Sequence, residues 1–120
     1  MQEIGIESSV LRDILDDKKT IEGRLGKDKF LKLKVGDTLA LREDVWQDGT
    51  IRTSIPDQGT IRIKQVLYFT SFKEMLEALD IEEIIPRAKT VDDALSVYRK
   101  FYSPEDEEEF GVIAFSFELL

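Results

Sequence analysis

The chain has 120 residues, 42% of them hydrophobic, and sets 17 Lys and Arg against 25 Asp and Glu, for a net charge of −8 and a pI near 4.6. That balance argues against a protein built to hold long duplexes, because such affinity rests on a basic face that displaces counterions. With neither Cys nor His in the sequence, disulfides, thiolate nucleophiles, Cys/His zinc sites and His-based triads are excluded, and no metal or cofactor is expected.

The length suits a single domain over residues 1–120. Met1 to Val10 carries Glu3 and Glu7 where a signal peptide would be basic and then apolar, and apolar runs are only a few residues long. A cytoplasmic protein without a membrane segment is expected, with the monomer as the default state.

In chain order, Val10, Leu11, Ile14 and Leu15 form one helical stripe within Ser8 to Asp17, and Lys18 and Lys19 follow at the negative end of the dipole. Thr20 to Leu25 reads as a strand, with Ile21 and Leu25 on one face and Thr20, Glu22 and Arg24 on the other. After Gly36-Asp37, Leu39 and Leu41 alternate with polar residues in a second strand. Asp48-Gly49, Pro56 and Gln58-Gly59 are turn signals that fit a hairpin with short edge strands. Ile61, Ile63, Leu67 and Phe69 share one parity of a long half-buried strand, and Arg62, Lys64, Tyr68 and Thr70 the other. Ser71 with Glu74 and Thr90 with Asp93 predict two capping boxes. The second of these helices carries Val91, Ala94, Leu95, Tyr98, Phe101 and Tyr102 on one face, which places both tyrosines in the core. Between them Ile81 to Pro86 suggests a short helical turn. Ser103-Pro104 with Asp106 resembles a third helix entry, which explains much of the acidic run at Glu105 to Glu109 as a solvated cap rather than a metal site. Gly111 opens a last strand, with Ile113, Phe115, Phe117 and Leu119 alternating against Val112, Ala114, Ser116 and Glu118. The order lacks regular βαβ alternation, so the fold class is α+β, a mostly antiparallel, curved sheet or small barrel flanked by helices.

Charge is distributed unevenly. Residues 18–34 hold seven cations against Glu22 and Asp28, a local charge of +5, so the rest of the chain carries −13. A patch separated by more than about 8 to 10 Å of screening can still hold a small anion. The plain alternative is that Lys27 to Lys34 form a solvated loop or strand face.

The densest cluster of reactive side chains is Lys18, Lys19, Thr20, Glu22 and Arg24. Arg offers a planar fork of donors and Glu an acceptor, so Glu22 and Arg24, two apart on one strand face, could read a hydrogen-bonding edge such as that of a nucleobase. Equally, they could form an internal ion pair that fixes the sheet. Lys19 stands where helix meets strand, where burial could lower its pKa and make it a nucleophile or base. The alternative is a surface lysine capping the preceding helix. Tyr68 and Trp46 could stack on a base, and Trp46 equally suits hairpin packing or a partner contact.

Lys19, Glu22 and Arg24 match the Lys-x-x-Glu-x-Arg part of the signature of the ASCH domain, the activating-signal-cointegrator homology family related to PUA domains. Lys-Thr-Ile-Glu-Gly-Arg-Leu at 19–25, Lys-Val-Gly-Asp at 34–37, Tyr-Phe-Thr-Ser-Phe at 68–72, and the stretches at 98–103 and 110–114 resemble its small stand-alone bacterial or archaeal members. Asp17 stands where the signature usually has Gly. The resemblance implies a PUA-like β-barrel with helices closing its ends and a cleft at the signature that binds RNA, a short single strand or a modified nucleoside or nucleotide. Some small members remove the acetyl group from acetylcytidine with a Lys, a Thr and a Glu, and others are described as ribonucleases. Lys19 matches that Lys, whereas Glu22 occupies the position of the Thr, and the third carboxylate has no clear counterpart, although Glu82 and Glu83 fall in the region. The expected site is thus Lys19 and Glu22 for any catalysis, with Lys18, Thr20, Arg24 and Tyr68 as ligand contacts. A protein-interaction module, using exposed apolar surface instead of the cleft, is the other class of function.

Overall fold

Ile4 and Ile6 alternate with Glu3, Gly5 and Glu7, and in the computed structural model, which describes residues 2–120, this stretch is a strand, β1 (Glu3–Glu7). There follow α1 (Ser8–Leu15), β2 (Ile21–Leu25), a 3-10 turn (Asp28–Lys32), β3 (Thr38–Gln47), β4 (Thr50–Ile55) and β5 (Thr60–Phe69). The chain closes with α2 (Phe72–Ala78), α3 (Ile81–Ile84), α4 (Val91–Arg99), α5 (Pro104–Phe110) and β6 (Val112–Leu119). The fold is α+β, as expected, with one strand that the sequence reading passed over.

The strands form one sheet in the order β1-β3-β5-β6-β2, with β4 paired to β3. Among the described residues, only β1 and β3 run parallel. No strand pairing joins β2 to β1 at the two ends of this path, so the curved sheet of the expectation is found and the closed barrel is not. The hairpin between β3 and β4 turns on Asp48 and Gly49, both with positive φ (53° and 78°), the pair of left-handed residues that a tight two-residue turn needs.

Apolar residues cover both faces of the sheet. On one, Phe115 and Phe117 of β6 pack with Ile4, Ile6, Leu39, Leu41 and the α1 residues Leu11 and Ile14. On the other, Val112 and Ala114 meet α2, α3 and α4 through Phe72, Met75, Leu76, Ile84 and Tyr98. The rings of Tyr98 and Tyr102 stack on Phe72 at 4.3 and 5.2 Å, so Tyr98 is core, as expected, and Tyr102 is half-buried. Phe101 is not core. The α4 helix stops at Arg99, before the stripe reaches it.

Two further expectations change for local reasons. The register of β5 on β6 shifts between Ile63 and Gln65, a bulge at Lys64 that turns every later side chain over. Val66 and Tyr68 thereby join the face of Ile61 and Ile63, while Phe69 goes to the helix side. Ser71 and Thr90 each accept a hydrogen bond from the third helical N–H, at Glu74 and Asp93. The reciprocal bond is found only at Ser103 with Asp106. Glu74 instead accepts from the Thr70 hydroxyl. In the acidic run, Glu107 is buried, accepts from Phe72 N–H and pairs with Arg99, both at 2.8 Å, and so ties α5 to α2 and α4.

Candidate functional site

The signature segment begins at the end of α1. Lys18 N–H donates to Asp13 O (2.9 Å) and Asp17 N–H to Ile14 O (3.0 Å), the two bonds of a Schellman ending, with Asp17 at φ 59°. A left-handed residue is required there. That accounts for the usual Gly, and Asp is among the few other residues that tolerate the conformation. Buried Asp13, held by both nitrogens of the Arg87 fork at 2.8 and 3.2 Å, anchors this turn to the segment after α3.

Lys19 is therefore turned inward, at 3% exposure. Its ammonium donates to the carbonyls of Ile21 (2.7 Å) and Ile84, and stands 3.5 Å from Glu22 Oε1. Burial pushes its pKa down, and the Glu22 carboxylate opposes that shift without cancelling it. Glu22 is buried too. Burial alone would raise its pKa, but the ammonium of Lys19, the guanidinium of Arg24 and the N–H of Gly23 together hold it below the usual carboxylate value. Gly23 lies on the opposite face, where a Cβ would come within 2.9 Å of the Tyr98 hydroxyl and 2.8 Å of Met75 Sδ.

Arg24 spans the gap between the two ends of the sheet. Its Nη2 donates to Gly5 O of β1 at 2.9 Å and pairs with Glu22 Oε2 at 3.4 Å. Lys29 donates to Glu3 O, two residues earlier on the same strand. Two cations thus cover the β1 carbonyls that a neighbouring strand would otherwise satisfy. The Nε and Nη1 of Arg24 have no hydrogen-bond partner among the described residues and are not buried. The guanidinium lies 5.3 Å from the centroid of Phe30, which stacks on Phe115. Arg42 and Asp44 of β3 complete the rim as a bidentate pair at 2.8 and 3.0 Å, with Ser54 donating to Asp44 at 2.9 Å. The Arg42 bonds hold the Asp44 pKa down. Both side chains lie over Gly5, where a Cβ would meet Asp44 Oδ2 at 2.2 Å.

The structure thus brings Lys19, Glu22 and Arg24 into one charged chain running from the interior to the gap. Tyr68 joins them at one remove. The register aligns Arg24, Ile113 and Tyr68 across β2, β6 and β5, which sets Tyr68 on the face of Arg24 two strand spacings away, roughly 10 Å. Tyr68 is 63% exposed. Lys18 is exposed at the surface of the turn, and Thr20 is half-buried, its backbone bonded to Glu83 O and Phe117 N–H. Gly5, Lys29, Arg42, Asp44 and Ser54 were missed. The alternation of Arg42 and Asp44 with Leu39 and Leu41 was a signal for the pair, whereas their meeting with Arg24 depends on β1.

Among the described residues, no group of three or more acidic side chains converges where a metal ion could sit. Two open depressions lie away from the motif, one beside Phe69 and Pro104 (about 450 Å³) and one between α2 and α4 (about 530 Å³). Among the described residues, no helix is long and apolar enough to cross a membrane.

The family profile of the ASCH domain matches residues 4–120. The chain belongs to the ASCH domain family. The fold agrees: the crystal structure of hypothetical protein PH0355 superposes with a TM-score of 0.83 at 32% identity, over 99% of this chain and 98% of that one. The solution structure of protein PF0455 from Pyrococcus furiosus gives 0.75 at 33%, over 99% and 96%. Protein EF3133 from Enterococcus faecalis V583, at 15% identity, a TM-score of 0.61 and coverage of 93% and 67%, shares the fold alone. None of the curated proteins matches the chain. Within this ASCH domain, the Lys-x-x-Glu-x-Arg signature is a buried ion chain that ends in the partly exposed side chain of Arg24, at 21% exposure.

Proposed function

We propose that the domain binds single-stranded RNA or a nucleotide at the gap between β1 and β2, with Arg24 as the principal contact. The observation that carries this reading is the state of the Arg24 guanidinium. One nitrogen is fixed by Gly5 O and Glu22, while Nε and Nη1 remain free at the gap. A planar fork held in place loses little entropy on meeting a phosphate or a base edge. Glu22 then acts chiefly by orienting Arg24, and Lys18 and Tyr68 stand on the flanks as a phosphate contact and a stacking ring. Membership of the ASCH family and the +5 window over residues 18–34 support the same ligand class. The net charge of −8 favours a short strand over a long duplex.

A catalytic reading has one observation in its favour, the buried Lys19 with its lowered pKa beside Glu22. In it, Lys19 would have to exchange a carbonyl contact for substrate before acting as nucleophile or base.

Titration with a short single-stranded RNA and with acetylcytidine, followed by amide NMR, separates these readings. Shifts centred on Gly5, Arg24 and Tyr68 are expected for RNA, without turnover. Shifts confined to other surfaces would overturn the binding reading, and deacetylation lost in Lys19→Ala would establish the catalytic one.

A further inference from the structure

Trp46 near the end of β3 and Phe101 just past α4 meet edge to face, with ring centroids 6.1 Å apart. Both remain open to solvent, at 41% and 49% exposure. Neither belongs to the two cores, so burial does not explain why two large aromatic rings from distant parts of the chain lie together here. Two paths lead from this pair to the gap. Along β3, Trp46 stands four residues beyond Arg42, about 13 Å at the rise of a strand, and Asp44 lies midway. Through the end of α4, Phe101 touches Tyr102 at 6.4 Å between centroids, and the Tyr102 hydroxyl lies within the fields of both Arg24 and Glu22. Exposed cations flank the pair in sequence. Lys100 precedes Phe101, and Arg52 follows Ile51, the cross-strand partner of Trp46. Neither has a carboxylate within 4.0 Å among the described residues.

An aromatic surface beside unpaired cations, continuous with a guanidinium that has free donors, has the composition of a stacking platform for a nucleic-acid strand. We infer that Trp46 and Phe101 hold a second nucleobase, and that the ligand of this domain is an oligonucleotide of at least two residues rather than a free nucleoside or mononucleotide. The inference rests on the proposed function and adds a subsite to it. One residue of the strand sits at Arg24, and its neighbour stacks against the Trp46 indole, with Arg52 and Lys100 placed for the phosphates.

Trp46 is the sole tryptophan of the chain, so its emission reports on this subsite alone. The experiment titrates the full chain with AMP, the dinucleotide ApA and the tetranucleotide A4, and follows Trp46 fluorescence together with the amide signals of Arg24. AMP is expected to shift Arg24 with little change in emission, and ApA and A4 to quench it strongly. Trp46→Ala should weaken A4 about 5-fold or more, as loss of one base–aromatic stack implies, and leave AMP unchanged. Trp46→Phe should keep A4 within about 3-fold of the wild type, since a ring remains. Binding of A4 with undiminished emission and equal affinity in Trp46→Ala would overturn the subsite while leaving the Arg24 reading intact. If neither AMP nor A4 shifts Arg24, both fall.

Discussion

Glu22→Gln is the sharpest perturbation of the buried ion chain. The substitution keeps the shape and leaves an oxygen for Gly23 N–H, but it removes the charge that faces Lys19 at 3.5 Å and Arg24 at 3.4 Å. Lys19 is then a buried ammonium with two carbonyl acceptors and no counter-ion. Breaking a buried pair costs about 3 to 5 kcal/mol. The two carbonyls that remain on Lys19, and the freedom of Arg24 to reach solvent, place the loss near the lower figure, about 3 kcal/mol. For a domain of this size that is a fall in Tm of roughly 10 °C. The assay is urea and thermal unfolding of wild type, Glu22→Gln, Lys19→Met and the double variant at pH 7. The double variant should recover most of the loss, because replacing both members of a buried pair is often close to neutral. A loss below about 0.5 kcal/mol in Glu22→Gln, with additive behaviour in the double variant, would refute the argument that these charges depend on one another.

The pH dependence has a definite sign. Because the folded pKa of Glu22 lies below its unfolded value, its contribution is complete above about pH 4.3 and fades as pH falls through the folded value. Unfolding followed from pH 6 to pH 2 should therefore show a flatter acid limb in Glu22→Gln. Gly23→Ala drives a Cβ against Tyr98, which its stack on Phe72 holds in place, and should cost about 1 to 3 kcal/mol, measured by denaturant midpoint. Asp17→Gly removes the cost of a left-handed Asp and should leave the protein equally stable or up to about 1 kcal/mol more so in the same assay. Glu107→Ala leaves Phe72 N–H and Arg99 without their buried acceptor, and should lower stability by about 3 kcal/mol without weakening an RNA ligand at Arg24.

Much of the architecture was legible because local chemistry and global packing agreed. The cap residues Ser71, Thr90 and Ser103 and the turn at Asp48-Gly49 each act through atoms of their own segment, so the chain order reveals them. What escaped depends on partners far away in sequence. The first strand is five residues long and gains its identity from pairing with β3. Lys64 looks like any other polar position of an alternating strand, and its bulge exists because β6 accommodates one residue fewer on that stretch. Without that bulge Tyr68 would face away from Arg24. The same holds for the site. The motif named Lys19, Glu22 and Arg24, but the inward setting of Lys19 rests on the Ile84 carbonyl 65 residues on, and the exposure of Arg24 comes from a sheet that stops short of closing.

The most direct test of the central claim is the affinity of a short single-stranded RNA for wild type and Arg24→Ala, measured by anisotropy at two salt concentrations, with Arg62→Ala as a control far from the gap. The account predicts a loss of about 10-fold or more at Arg24, in a variant shown by its melting curve to be folded, and a shallower salt dependence from the missing phosphate contact. Arg62, paired with Glu118 at the surface, should change neither. Equal affinity and equal salt slope for wild type and Arg24→Ala would contradict it.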